Sequence, residues 1–198
     1  MLGCSALPTG QQTFNGETFD IANGANGNAW FSSVAAGNAS GTVSVTIQEN
    51  VMDAVAVKTL MNTFWGQSAA SYDTITFNGS KGSFTESLTG NNSLRDYNNY
   101  IWTNSISQPT TGWWSDGTQR LDEQSFSLGS YAGEELTSIT ITDWGNQVFS
   151  RAFLAAVTVD TGGPTTTAVI PEPGYLAPLG AGLLGFGLLF RRKRAMNR

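Results

Sequence analysis

Tyr72-Asp73-Thr74-Ile75-Thr76-Phe77-Asn78-Gly79 and, after three further residues, Ser83-Phe84-Thr85-Glu86-Ser87-Leu88 are the stretch that decides the fold class. Apolar residues here come in short alternating runs, and a period of two puts them on one face of an extended chain. Asn78-Gly79 between the runs is the dipeptide that supplies the positive φ of a tight hairpin turn. The stretch therefore predicts two antiparallel strands.

The same signal recurs outward in both directions. Thr42 to Ile47 places Val43, Val45 and Ile47 on one face, and Thr137 to Thr142 does so with Ile139 and Ile141. Further strands are predicted at Glu17 to Ile21, Trp30 to Val34, Gln124 to Leu128 and Ala152 to Val159. Many short strands joined by polar turns argue for a mainly β body of two packed antiparallel sheets, from about Gln11 to Asp160. One segment departs from the pattern: Asn50 can cap a helix, and Val57, Leu60, Met61 and Phe64 then share a face before Gly66. We expect one short helix there, crossing an end of the sandwich.

The two ends of the chain read differently from the body. Residues 1–10 have neither a basic start nor an adequate apolar stretch, and are expected to be the remnant of a signal peptide or leader. Cys4 is the only cysteine, so an internal disulfide and a multi-cysteine metal site are both excluded. Residues 161–170, rich in Thr, Gly and Pro, have the makings of an extended stalk. Then come Pro171-Glu172-Pro173, an uncharged apolar run over 175–190, and Arg191-Arg192-Lys193-Arg194. As a helix the 16 residues of that run span about 24 Å, a marginal crossing of a hydrocarbon core about 30 Å thick. The basic cluster would hold its own end on the cytoplasmic side, leaving the body outside.

This order, at the extreme carboxyl end, resembles the PEP-CTERM sorting signal of bacteria that make extracellular polysaccharide. The resemblance covers residues 171–198 alone. It implies an exosortase-type membrane enzyme as partner, processing near Pro171 to Pro173, and a transient stay in the inner membrane. The body would then reach the cell surface or the extracellular matrix, and the shortness of the apolar helix would suit a temporary anchor. The body is also similar to the β-sandwich domains of other proteins with such tails, including jelly-roll folds, through phrases such as Leu94-Arg95-Asp96-Tyr97-Asn98 and Arg120-Leu121-Asp122. The expected whole is a jelly-roll-like antiparallel sandwich with one short helix, plus a C-terminal hydrophobic helix.

Charge and composition narrow the chemistry. Up to residue 170 there are five basic residues against 14 acids, a balance of −9. A body this acidic cannot neutralise phosphates, so nucleic acid is not an expected partner. There is no histidine, which removes Ser-His-Asp and Cys-His catalysis and histidine-ligated zinc. What remains for catalysis is a pair of carboxylates of the glycosidase kind, drawn from Asp96, Asp116, Asp122, Glu123 and Asp143. Solvated or structural carboxylates are the commoner case, and we expect no enzyme. No cofactor is expected either, apart from a structural calcium for which Asp20, Asn23 and Asn26 are weak candidates; ordinary Asn-Gly turns explain the same residues.

Carbohydrate is the alternative ligand. Sugars stack on aromatic faces and exchange hydrogen bonds with polar neighbours, and Tyr97, Trp113, Trp114 and Asp116 supply both elements. Core packing is the competing use of the aromatics. Adjacent residues of a strand point to opposite faces, so at least one of Trp113 and Trp114 is expected at the surface. Two readings follow: an exported structural or adhesive protein of the envelope or exopolysaccharide matrix, or a secreted carbohydrate-binding module.

Overall fold

The computed structural model describes residues 7–22, 29–32, 42–64, 71–90, 92–98, 106, 110–145 and 151–161. Residues 1–6 and 162–198, and with them most of the expected stalk and the whole PEP-CTERM-like segment, lie outside them, as do Asn23, Asn26, Trp65 and Trp102. The described chain is mainly β, and every strand pairing is antiparallel. Its strands are β1 (Gly10–Phe14), β2 (Glu17–Ile21), β3 (Trp30–Phe31), β4 (Val43–Met52), β5 (Ala56–Phe64), β6 (Ser71–Gly79), β7 (Ser83–Thr89), β8 (Thr110–Ser115), β9 (Arg120–Ser127), β10 (Glu135–Asp143) and β11 (Arg151–Asp160). A single 3-10 turn, Gly129–Tyr131, precedes β10.

Two larger sheets, ordered β4-β10-β6-β7 and β3-β11-β5-β9-β8, share one core. Ile47, Ile75, Phe77, Ile139 and Ile141 come to it from the first sheet, and Val57, Met61, Phe126, Leu154 and Val157 from the second. The opposite face of the five-stranded sheet is covered too. There Leu60, Leu121, Phe153 and Trp113 pack with Phe19 and Ile21 of the β1-β2 hairpin and with Leu7, so the body takes in residues before Gln11.

The expected short helix after Asn50 is not formed, and the reason lies in this double coverage. β5 sits at the centre of its sheet, with Val57 and Met61 turned to one core and Leu60 to the other. A strand apolar on both faces loses its period of two, and Val57, Leu60, Met61 and Phe64 then imitate a helical stripe. Asp53, three residues after Asn50, lies in a turn and not in a first helical turn. It takes a positive φ of 56° where the chain leaves β4 for the other sheet, and its Oδ1 accepts from the Gly133 N–H at 2.7 Å.

The predicted hairpin is β6-β7, but its turn differs from the expected one. Asn78 pairs with Ser83, and the Gly79 N–H donates to the Gly82 carbonyl at 2.7 Å, so Ser80 and Lys81 make the turn. Gly79 does not take a positive φ; it leaves room, since a Cβ there would meet Glu134 Oε1 at 2.0 Å and Tyr131 Cε1 at 2.5 Å. The dipeptide works as expected elsewhere. Asn15-Gly16 joins β1 to β2 with φ of 54° and 84°, as a two-residue hairpin loop requires.

The outer face of the four-stranded sheet explains the abundance of Ser and Thr. Thr46, Thr140, Thr76 and Thr85 stand in register across all four strands, as do Ser44, Thr142, Thr74 and Ser87. Neighbouring hydroxyls bond directly, Thr46 to Thr140 at 3.1 Å and Thr76 to Thr85 at 2.9 Å. Such cross-strand pairs stabilise a sheet without any charge.

Candidate functional site

The β8-β9 hairpin carries the residues singled out for sugar binding. Its register shifts between Gly112 and Trp114, which face Asp122 and Leu121 in turn and leave Trp113 as the extra residue. A bulge of this kind re-aims side chains. Trp113 turns inward: it is 3% exposed, meets Phe14 and Phe19 edge-on at 4.8 and 5.4 Å, and donates its indole N–H to the Glu17 carbonyl at 3.4 Å. Trp114 is half-buried and lines an open cleft of about 230 Å³ with Arg95, Gly112, Ser115 and Arg120.

Tyr97 and Asp116 are held by other tasks. The Tyr97 ring is stacked with Phe64 and with Phe153, at 5.6 and 6.0 Å. Asp116 is exposed and closes the β8-β9 turn, with Oδ1 accepting from the Thr118 and Gln119 N–H groups at 2.7 Å each. Those backbone donors hold its carboxyl below the usual range. Of the four candidates, Trp113 and Trp114 border the cleft, and Trp114 alone does so while partly open to solvent.

Below the cleft lies a buried polar network that sequence reasoning missed. Asp122, fully buried, accepts a two-pronged bond from Arg95, Nε and Nη2 each at 2.6 Å, and a third from Asn62 Nδ2 at 2.8 Å. Arg120 is buried alongside and donates from Nε to the Asp96 carbonyl at 2.7 Å. Burial and neighbouring Arg95 lower the Arg120 guanidinium from its ordinary value, while Asp122 and Asp96 oppose the shift. Two guanidinium groups and an indole thus edge one recess, an arrangement that can stack on a flat apolar face and donate to oxygens beside it.

Asn62 and Gln124 explain how this edge is built. β5 and β9 pair only as far as Leu60 and Glu123; beyond that, Ser93 to Tyr97 runs beside β5, with the Thr63 N–H donating to the Arg95 carbonyl at 2.9 Å. Side-chain amides replace the ladder where the strands part. Gln124 Oε1 accepts from Met61 N–H at 3.1 Å and Thr59 Oγ1 at 2.9 Å, and Nε2 donates to the Met61 and Ser93 carbonyls at 2.9 and 3.3 Å. Asn62 does the same for Asp122, accepting from its N–H at 3.0 Å. A polar residue on a strand with no water-facing side was the only sequence signal for either.

Comparison with known proteins finds no matching family model, curated protein or solved structure. The site therefore speaks through its own residues. Four of the five carboxylates weighed for catalysis have a structural contact: Asp122 with Arg95, Asp96 with the Asn98 N–H at 2.7 Å, Asp116 in its turn, and Asp143 with Ser32 Oγ and the Ala152 N–H. Glu123 is raised by burial and by Glu17, and Lys58, itself paired with Glu17, opposes the rise. Among the described residues, no three Cys, Asp or Glu side chains gather as a metal cluster. Asp20 of the calcium candidates lies on β2 opposite Gln11.

Proposed function

We propose that the chain is an exported protein of the cell envelope or exopolysaccharide matrix, sorted and processed through its C-terminal PEP-CTERM-like signal, with a non-catalytic, structural or adhesive body of the jelly-roll-like sandwich type. The observation that carries this reading is the order Pro171-Glu172-Pro173, apolar run, Arg191-Arg192-Lys193-Arg194. Its partner is an exosortase-type membrane enzyme, and the inner membrane holds the chain only during sorting. An inert body is supported by the structural employment of four of the five carboxylates weighed for catalysis, and an exterior one by an uncharged hydroxyl face and an acidic balance that favours solubility. Where the mature chain ends in native cells is the test: processing leaves no residue of the basic cluster on the purified protein.

The Trp114 cleft favours a second reading, a carbohydrate-binding module. If matrix polysaccharide stacks there, Trp114→Ala weakens binding by roughly 30-fold or more, as expected of an aromatic anchor worth about 2 kcal/mol. Trp144→Ala, at an exposed residue just beyond β10, leaves the affinity unchanged. Calorimetry with polysaccharide isolated from the native matrix reads both, and wild-type protein that binds none ends this reading.

A further inference from the structure

At one end of the shared core, Asp73 of β6 and Asp143 of β10 are register partners on the inward face of the four-stranded sheet, each two residues from a core isoleucine, Ile75 and Ile141. Side chains so placed stand roughly 5 Å apart at Cβ. The two carboxyls are treated very differently. Asp143 has three donors: Oδ2 accepts from Ser32 Oγ and from the Ala152 N–H at 3.1 Å, and Oδ1 accepts from the Gly145 N–H at 2.7 Å, which leaves Oδ1 room for a further ligand.

Asp73 is fully buried, yet neither of its oxygens has a hydrogen-bond partner. A buried carboxyl without partners forfeits its hydration for nothing, an expensive state that native proteins rarely tolerate. The charges around it do not balance either. Among the described residues Arg151, at the start of β11, is the positive charge that acts on it, so two carboxylates are set against one guanidinium. Burial and the Asp143 charge both push the Asp73 carboxyl well above its usual range, with Arg151 pulling against them.

We propose that Asp73 and Asp143, with Ser32 beside them, form a site for a hard divalent cation of the calcium class that clasps the two sheets together. The donor set is all oxygen, which selects calcium over thiolate- or imidazole-seeking metals. Both Asp73 oxygens are available to it, and a cation beside them would favour the ionised carboxyl that burial disfavours. The site joins β6 and β10 of one sheet to the β3-β11 edge of the other, since Ser32 follows β3, donates its N–H to the Ala152 carbonyl at 3.0 Å and accepts the Ala152 N–H on Oγ at 2.9 Å. It is distinct from the Asp20 candidate, which lies on the β1-β2 hairpin.

The test uses the full-length chain, stripped with a chelator and titrated with calcium chloride near neutral pH, by calorimetry and thermal melting. Calcium about 100-fold above its Kd should raise the melting temperature by roughly 5–10 °C. Asp73→Asn should abolish both the heat and the shift, and Asp20→Asn should leave them. If Asp73→Asn does not fold, Asp73→Glu keeps the charge on a longer arm, and should weaken calcium binding about tenfold or more. Wild-type protein that neither binds calcium nor gains stability from it overturns the proposal. So does calcium binding that persists unchanged in the Asp73 variants.

Discussion

Asp122→Ala should destabilise the protein by about 3–5 kcal/mol, the cost of leaving a buried partner charge uncompensated. Asp122 is fully buried and receives both prongs of the Arg95 guanidinium and the Asn62 amide. Truncation removes the acceptor of all three bonds at once; Asn62 Nδ2 keeps its bond to the Arg95 carbonyl at 3.3 Å, but the Arg95 side chain, only 18% exposed, has little water to turn to. The loss should appear in urea unfolding as a lower midpoint with little change in slope, and in a melt as a fall of roughly 10 °C. A change below about 1 kcal/mol would place this pair with ordinary surface bridges and remove the foundation assigned to the cleft.

Gln124→Ala is the second large effect, expected at about 3 kcal/mol or more. Its side chain bonds the Met61 N–H and carbonyl, the Thr59 hydroxyl and the Ser93 carbonyl, the last of which keeps a second donor in Thr110 Oγ1 at 3.0 Å. Each buried polar group left without a partner costs about 1–3 kcal/mol, reduced wherever water enters the vacated space. Gln124→Glu keeps the shape and removes the donors to the two carbonyls, so it should also be destabilising. If the alanine variant melts with the wild type, the amides are not the substitute for a missing ladder that they are taken to be.

How far the sequence foretold this molecule depended on whether a strand kept a wet face. β2 falls at the predicted Glu17 to Ile21, and β4, β6, β7 and β10 contain the alternating runs read from Thr42, Tyr72, Ser83 and Thr137. Their Ser and Thr residues line the outer face, with Glu49, Asp73 and Asp143 as buried exceptions, so the period of two survives. β5 has no such face, and its two cores erased the alternation. Turn chemistry was readable in kind but not in place, since Asn15-Gly16 has the positive φ values expected at Asn78-Gly79.

The cleft was half legible. Trp113-Trp114 drew attention as adjacent aromatics, but the bulge that sends Trp113 inward depends on β9, far along the chain from any local signal. Arg95, Arg120, Asn62 and Asp73 carry nothing in their neighbours that announces burial. Their roles arise from which strands the topology sets side by side, and a single sequence records that only indirectly.

The sorting claim is tested most directly by intact mass and carboxyl-terminal peptide mapping of the protein purified from native cells, with surface-bound and released pools kept separate. The prediction is a chain ending at or near Pro171 to Pro173, which lacks the apolar run and Arg191 to Arg194, up to 28 residues or about 3 kDa of the 21.1 kDa chain. A mature protein intact through Arg198 would contradict it.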